Sequence, residues 1–383
     1  MSMLHALMLN HSQFEPPVLK RLQVPPILGH RSQIDESFQA PCRFFHLSQN
    51  VLSSRAHRVP TWKNLASIPF AARQEHTTVF LPPSTIAILG GIIPSNGSDS
   101  IIPVETVPLM QFYSIPDDTW TSRAPVPRAL NHLNVAVVKG KIYVLGGLTE
   151  SGNATTRAWS AVSDSWVYDP IVDTWESVLA MPLNEARGSA AVGVYDGKIY
   201  LAGGMTMLEL FGNRTQDTVS IVSIYDTRNR TWLTVPKPAK QIPEGRDHAG
   251  AAVIGSRMYI LGGRNHAQLN VKDTVFILDL CNLEAGWRTS DERMPTARGG
   301  VTAGTIGRKI YTFGGEGNPA AENKVFDEVE VYDTVANRWE SVGTMVVPRH
   351  GTYAVGVGRG VYIPGGGVVQ GGAPVADFNV FIP

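Results

Sequence analysis

The stretch "KIYVLGG" at residues 141–147 returns as "KIYLAGG" at 198–204 and, less closely, as "RMYILGG" at 257–263, "KIYTFGG" at 309–315 and "VYIPGGG" at 361–367. With Gly90 the double glycines start at Gly90, Gly146, Gly203, Gly262, Gly314 and Gly365, and successive gaps are 56, 57, 59, 52 and 51 residues. That period suits one blade of a β-propeller. The apolar run before each pair is too short for a helix and rich in strand formers, with Tyr143, Tyr200, Tyr259, Tyr311 and Tyr362 near the middle. A glycine pair after a strand lets the backbone enter a positive-φ turn and lets a neighbouring strand pack close.

Each run is preceded by a small-residue strand such as "NVAVV", "SAAVGV" or "AGAAVI", suited to a crowded central axis. After each glycine pair come a variable polar loop and a third strand, for example "DSWVYD", "VSIYD" and "VEVYD". Seven residues beyond its tyrosine stands a tryptophan that opens a fourth strand: Tyr113 to Trp120, Tyr168 to Trp175, Tyr225 to Trp232 and Tyr332 to Trp339. Trp287 fills the place in the repeat that has Leu278 instead of tyrosine. Four strands in each of six repeats predict an all-β, six-bladed propeller. The last repeat stops after its third strand, "ADFNVFIP", and the missing fourth stands near the N-terminus as "VPTWKNLASIPF". An N-terminal strand completing the C-terminal blade would close the ring and leave no free blade edge. Residues 59–383 thus read as one propeller, and the proline-broken residues 1–58 as an irregular or disordered extension.

Composition narrows the function classes. The 33 Lys+Arg balance 33 Asp+Glu, which gives no electrostatic case for nucleic acid or an anionic membrane as partner. No apolar run reaches the length of a membrane span. Two cysteines make no disulfide framework, and Cys281, in "VFILDLCNL", reads as a buried apolar residue of a strand. The start lacks a convincing signal peptide, so the cytoplasm is the default location. Five N-x-S/T triplets, at Asn10, Asn96, Asn153, Asn213 and Asn229, keep secretion open.

The start of each inner strand and the loop after each glycine pair fall on one face, so residues at matching offsets before the pairs should meet at one mouth of the channel. Fourteen before stand His76, His132, Ser189, His248, Gly300 and Gly351; fifteen before, Glu75, Asn131, Gly188, Asp247, Gly299 and His350. Sixteen before stand Gln74, Leu130, Arg187, Arg246, Arg298 and Arg349, and the loops add Arg264, Asn265, His266, Glu316 and Asn318. Arg187, Arg246, Arg298, Arg349 and Arg264, with Glu316, are candidate ligand-binding residues for a carboxylate or phenolate. His248, Asp247, Glu75, His76, His132 and His350 are candidate proton-transfer residues. The same arginines could instead bond backbone carbonyls between blades. The histidines and acids sit on different blades and form no metal motif, so neither a metal nor another cofactor is expected. "GVGRG" at 356–360 falls between two strands and reads as a hairpin turn.

Paired glycines, then a tyrosine, then a tryptophan, recurring through residues 59–383, resemble the kelch-repeat family. That family's copper-radical oxidases use a cysteine–tyrosine cross-link and its nitrile specifiers an acidic, acidic, histidine loop; neither pattern is present. "RQEHTTVFL", "EGRDHAGAAV" and "PRHGTYAVGV" are similar to stand-alone kelch proteins of filamentous fungi, some encoded in polyketide clusters of the terrein type. The resemblance implies a role in secondary-metabolite biosynthesis, with a small-molecule intermediate bound and isomerised or rearranged by a monomer. A protein-interaction module reading acidic peptides is the second expectation, and a secreted carbohydrate-binding protein the third.

Overall fold

A computed structural model describes residues 59–95, 104–152, 157–210 and 215–383. Residues 1–58 and the sequons at Asn10, Asn96, Asn153 and Asn213 lie outside the described residues. The architecture is all-β: the described residues form five four-stranded antiparallel sheets and a sixth sheet of six strands, in which Met205–Glu209 and Gln216–Thr218 extend a four-stranded meander, with two short two-stranded ribbons besides. The first blade has the order Thr77–Leu81, Thr85–Leu89, Met110–Ser114, Thr119–Arg123, and the next four repeat the same meander. The last is made of Val355–Val357, Gly360–Pro364, Phe378–Ile382 and, from the other end of the chain, Thr61–Asn64. There Trp62 pairs with Phe381 and Asn64 with Asn379. The small-residue inner strands touch one another in chain order and the last touches the first, so the ring is closed.

The core is divided among the gaps between blades. Tyrosine and tryptophan seven residues apart lie directly opposite across the outer hairpin, as in Tyr113 with Trp120 and Tyr332 with Trp339. The indole then reaches the previous blade. Trp62, Trp120, Trp175, Trp232 and Trp287 donate Nε1–H to carbonyls of Thr344, Ala66, Ala124, Leu179 and Ala239 at 2.8–3.1 Å. Each ring thus buries apolar area and also satisfies a backbone acceptor at a blade junction.

The glycine pairs have a more exact reason. The first glycine of every pair has φ between 54° and 73°. A Cβ there would lie no farther than 3.0 Å from a carbonyl oxygen of the next blade, that of Leu130, Arg187, Arg246, Arg298, Arg349 or Arg73. Five second glycines donate their N–H to those oxygens: Gly91 to Leu130, Gly204 to Arg246, Gly263 to Arg298, Gly315 to Arg349 and Gly366 to Arg73, at 2.7–2.9 Å. Asn134 Nδ2 makes the corresponding bond to Arg187 O at 2.8 Å.

Cys281 departs from expectation. Asp279 ends its strand by accepting the Cys281 N–H at 3.0 Å, and Cys281 sits in the exposed turn beyond. Asn229 is likewise exposed in a hairpin turn, its Nδ2 2.9 Å from Asp226 Oδ2.

Two glycines of similar φ separate strain from crowding. Gly307 has φ 60° and open space where a Cβ would go, whereas at Gly314 (φ 54°) a Cβ would overlap Arg349 O. Gly307→Ala should cost about 1–2 kcal/mol, and Gly314→Ala roughly 1–3 kcal/mol more from overpacking, read from chemical denaturation of both variants.

Candidate functional site

Six equivalent residues open the inner strands, all at positive φ: Glu75, His132, Ser189, His248, Gly300 and Gly351, with φ of 50–62°. Bonds between neighbours fasten them around the mouth. His132 N donates to Glu75 O at 2.9 Å, Ser189 N to His132 O at 2.8 Å, Gly300 N to His248 O at 2.9 Å and Glu75 N to Gly351 O at 2.7 Å. His248 N closes onto Ser189 Oγ at 3.0 Å. A left-handed conformation is unfavourable for a non-glycine residue and persists where its surroundings over-determine it. Here it turns Glu75, His132 and His248 toward one point.

The first blade corrects the offset count. Its inner hairpin has three loop residues, Pro82, Pro83 and Ser84, where the third blade has two, Asp196 and Gly197. That shifts the register by one, so Glu75 and not His76 belongs to the mouth ring. His76 is fully buried beside Gly365 of the last blade and takes no part in the cavity.

The arginines are corrected as well. Arg187, Arg246, Arg298 and Arg349 are no more than 1% exposed and do not line the mouth. Arg187 donates to Gly203 O at 2.6 Å and Leu201 O at 3.0 Å. Arg298 bonds Gly314 O at 2.8 Å and Glu330 Oε2 at 2.7 Å, and Arg349 bonds Ile363 O at 3.3 Å. Arg246 is spent on Thr274 Oγ1 at 2.6 Å and Glu244 at 2.7 Å. Arg73, missed because of the register shift, bonds Gly90 O at 3.0 Å. The guanidiniums of Arg73, Arg187 and Arg298 pin the start of the inner strand to the glycine turn of their own blade, and those of Arg246 and Arg349 to segments beside it; burial draws Arg187 down to about 10, which leaves it charged.

Arg264 and Glu316 do reach the mouth, because the residue after each glycine pair bridges the residue before the mouth ring: Asp247 with Arg264, Gly299 with Glu316. Arg264 Nε donates to Asp247 Oδ1 at 3.0 Å, Nη1 to Glu316 Oε1, and Nη2 lies 3.0 Å from His248 Nε2. His248 Nδ1 donates to Asp247 Oδ1 at 2.6 Å, and Thr218 Oγ1 donates to the other carboxylate oxygen. His132 Nε2 is 3.1 Å from Glu75 Oε2 and 2.9 Å from His248 Nε2. His350 stands behind Glu316, its Nε2–H donated to Val369 O at 2.9 Å, and lies off the cavity lining. Asn265, His266 and Asn318 are engaged in loop bonds to Glu244, Gln216 O and Ala320 N.

The cavity between these groups has a volume of about 420 Å³. One wall is polar: Glu75, His132, His248, Arg264 and Glu316. The other is apolar, with Val104, Trp159, Leu208 and Leu210, and continues into a cluster with Ile92, Leu148 and Met205. The division follows the repeat, since the residue after the glycine pair is Ile92, Leu148 or Met205 in the first three blades but Arg264, Glu316 or Gly367 in the rest. The second blade's hairpin, Lys141–Ser151 with Ala158–Asp169, runs on past its glycines and carries Trp159 over the mouth.

The charges are poised. Burial opposes ionisation of Asp247, but the hydrogen bond from His248 and the charge of Arg264 outweigh it and bring the carboxyl to about 2. Against the same penalty, His132 holds Glu75 well below the ordinary range, and His350 with Arg264 lowers Glu316. Burial and Arg264 lower His248, so its ring is neutral near pH 7.

The match to known proteins agrees with the repeat. The KLHDC2/KLHL20/DRC7 kelch-repeats domain matches residues 47–263 and 206–382. The chain belongs to the kelch-repeat family. It is 40% identical over 345 residues to Kelch-like protein terF of Aspergillus terreus, across 87% of this chain and 72% of that one. Beta-scruin of Limulus polyphemus is 25% identical over 240 residues, 62% of this chain and 24% of that protein. The solved structure of YjhT superposes with a TM-score of 0.62 at 18% identity, over 82% of this chain and 95% of that one, a likeness of fold. No helix among the described residues is long and apolar enough to cross a membrane.

In this kelch ring Trp159 was findable. Of eight tryptophans it is one of two, with Trp166, that do not open the fourth strand of a blade, and a residue freed from the repeat is free for other work.

Two measurements follow from these placements. Arg187→Ala strands the carbonyls of Gly203 and Leu201 and should cost about 3 kcal/mol or more in denaturant unfolding. His76 is held neutral by burial and by Arg73, down to about 3, against about 6.5 in the unfolded chain. Its contribution is complete above pH 6.5 and declines by roughly 1.4 kcal/mol per pH unit as pH falls toward 3. Between pH 6 and 4 the stability of His76→Asn should therefore fall less steeply than wild type, by about one proton.

Proposed function

We propose that the chain serves a fungal polyketide pathway by binding, and isomerising or rearranging, an oxygen-rich intermediate in the two-walled cavity. The observation that carries this is the cavity itself: Trp159 and Leu208 face Glu75, His132, His248 and Arg264 across about 420 Å³, within the range of small-molecule sites. A partly aromatic molecule would lay its ring on the apolar wall and turn carbonyl or phenolate oxygens to the polar one. Arg264 is positioned to stabilise negative charge developing on such an oxygen. Asp247 orients His248 through Nδ1, which leaves Nε2 as the acceptor for a proton taken from carbon or hydroxyl. Likeness to Kelch-like protein terF supports the fungal setting.

A module reading acidic peptides through mouth arginines is less well supported, since Arg187, Arg246, Arg298 and Arg349 are committed inside the blades.

Deleting the gene in its source organism and profiling metabolites tests the reading. A compound should disappear and its precursor accumulate, with wild type restoring the product. The accumulated compound should bind the purified protein, and Trp159→Ala should weaken it by about 2 kcal/mol, or ~30-fold. His248→Ala should slow turnover by roughly 10²–10⁴-fold. An unchanged profile, or binding indifferent to Trp159, would overturn it.

A further inference from the structure

The two histidines of the mouth face each other with their Nε2 atoms 2.9 Å apart. Asp247 Oδ1, a carboxylate oxygen, accepts from His248 Nδ1 at 2.6 Å. Asn131 Nδ2 is used on Thr106 Oγ1 at 2.8 Å, so its Oδ1 accepts from His132 Nδ1 at 2.6 Å. With the proton of each imidazole on Nδ1, each ring presents a lone pair on Nε2, that of His248 also reached by Arg264 Nη2 at 3.0 Å. Those lone pairs lie 2.9 Å apart, with Glu75 Oε2 3.1 Å from one and 3.8 Å from the other. Three acceptors crowd one point, all on buried residues.

We propose that Glu75, His132 and His248 bind one divalent transition-metal ion of the zinc class, with its remaining coordination position facing the cavity. A four-coordinate ion with bonds of about 2.0–2.1 Å has ligand–ligand edges of about 3.3–3.4 Å; the three edges here, 2.9, 3.1 and 3.8 Å, bracket that value. Two imidazoles and one carboxylate form a donor set for zinc, and also for iron(II) or cobalt(II). The outer shell is in place: Asp247 and Asn131 fix the tautomers and ring orientations, as partners of metal-bound histidines do. Charge agrees. Three carboxylates (Glu75, Asp247, Glu316) surround one guanidinium, Arg264, an excess of acid that favours a cation. Arg264 Nη2, now 3.0 Å from His248 Nε2, is the group the ion displaces. The site goes beyond the pathway reading and does not require it; with the ion present, it polarises the bound oxygen in place of a shared proton.

The test uses the full chain, tag removed, stripped with chelator and titrated calorimetrically with Zn²⁺, Co²⁺ and, without oxygen, Fe²⁺. One equivalent of at least one ion should bind with Kd of roughly 1 μM or tighter, and cobalt should give the visible absorption of a nitrogen- and oxygen-ligated ion. Glu75→Gln, which keeps the shape of the side chain, and His132→Ala should each weaken binding ~100-fold or more. Asn131→Ala should weaken it ~10-fold, and His266→Ala should leave it unchanged. No saturable binding, or binding indifferent to Glu75→Gln and His132→Ala, overturns the site and leaves a proton shared between the imidazoles. Metal binding with an unchanged metabolite profile leaves the site standing and removes the pathway; a profile change without metal binding does the reverse.

Discussion

One contact recurs around the ring: the N–H of a glycine hydrogen-bonded to a backbone carbonyl of the next blade, with no side chain between them. From Gly91 to Leu130 and on to Gly366 with Arg73, it joins the last blade to the first. It sets how near blades approach at the mouth, and it requires a left-handed residue without Cβ at the preceding position. Buried Arg73, Arg187 and Arg298 reinforce the same turn from within the blade, and indoles fasten the outer edges. Trp339 is the exception, its Nε1 buried without an acceptor, so the outer edge of that junction lacks the indole bond.

Those close approaches also aim the site. The residue opening each inner strand stands at positive φ, and Glu75, His132, Ser189 and His248 are bonded to both neighbours, so their side chains project to the axis. Where that residue is Gly351 the missing side chain leaves room that the Glu75 carboxylate fills; where it is Glu75, His132 or His248 it carries chemistry. A rigid ring can hold two histidines and an acid from three blades within hydrogen-bonding reach because none of them depends on a long loop.

The fold was legible because a repeat states each feature several times: glycine pairs, the tyrosine–tryptophan register, and the displaced strand around Trp62. The site was legible in part. Counting back from the glycines found His132, His248 and Asp247, and the loops after them gave Arg264 and Glu316, but one added residue in the loop at Pro82, Pro83 and Ser84 moved His76 into a place that belongs to Glu75 and hid Arg73. Spacing also could not say which way a side chain turns: Arg246 and Arg264 look alike in sequence, yet one packs over Phe276 inside a blade and the other faces the cavity. The apolar wall was invisible to a search for polar residues, although Trp159 stood outside the repeat.

The sheet shared by Thr61–Asn64 and Phe378–Ile382 has a consequence for the order of events in synthesis. Most of the blades can form as they leave the ribosome, each from local meanders. The ring cannot, because its closing strand waits for a partner more than three hundred residues downstream, as the bond between Asn379 and Asn64 spans 315 positions. Until then the first and last blades expose apolar faces meant for each other, Tyr113 and Trp120 on one side and Phe378 on the other. Contacts so distant in the chain are slow to form, and the nascent chain passes through an open arc whose two ends are its sticky surfaces.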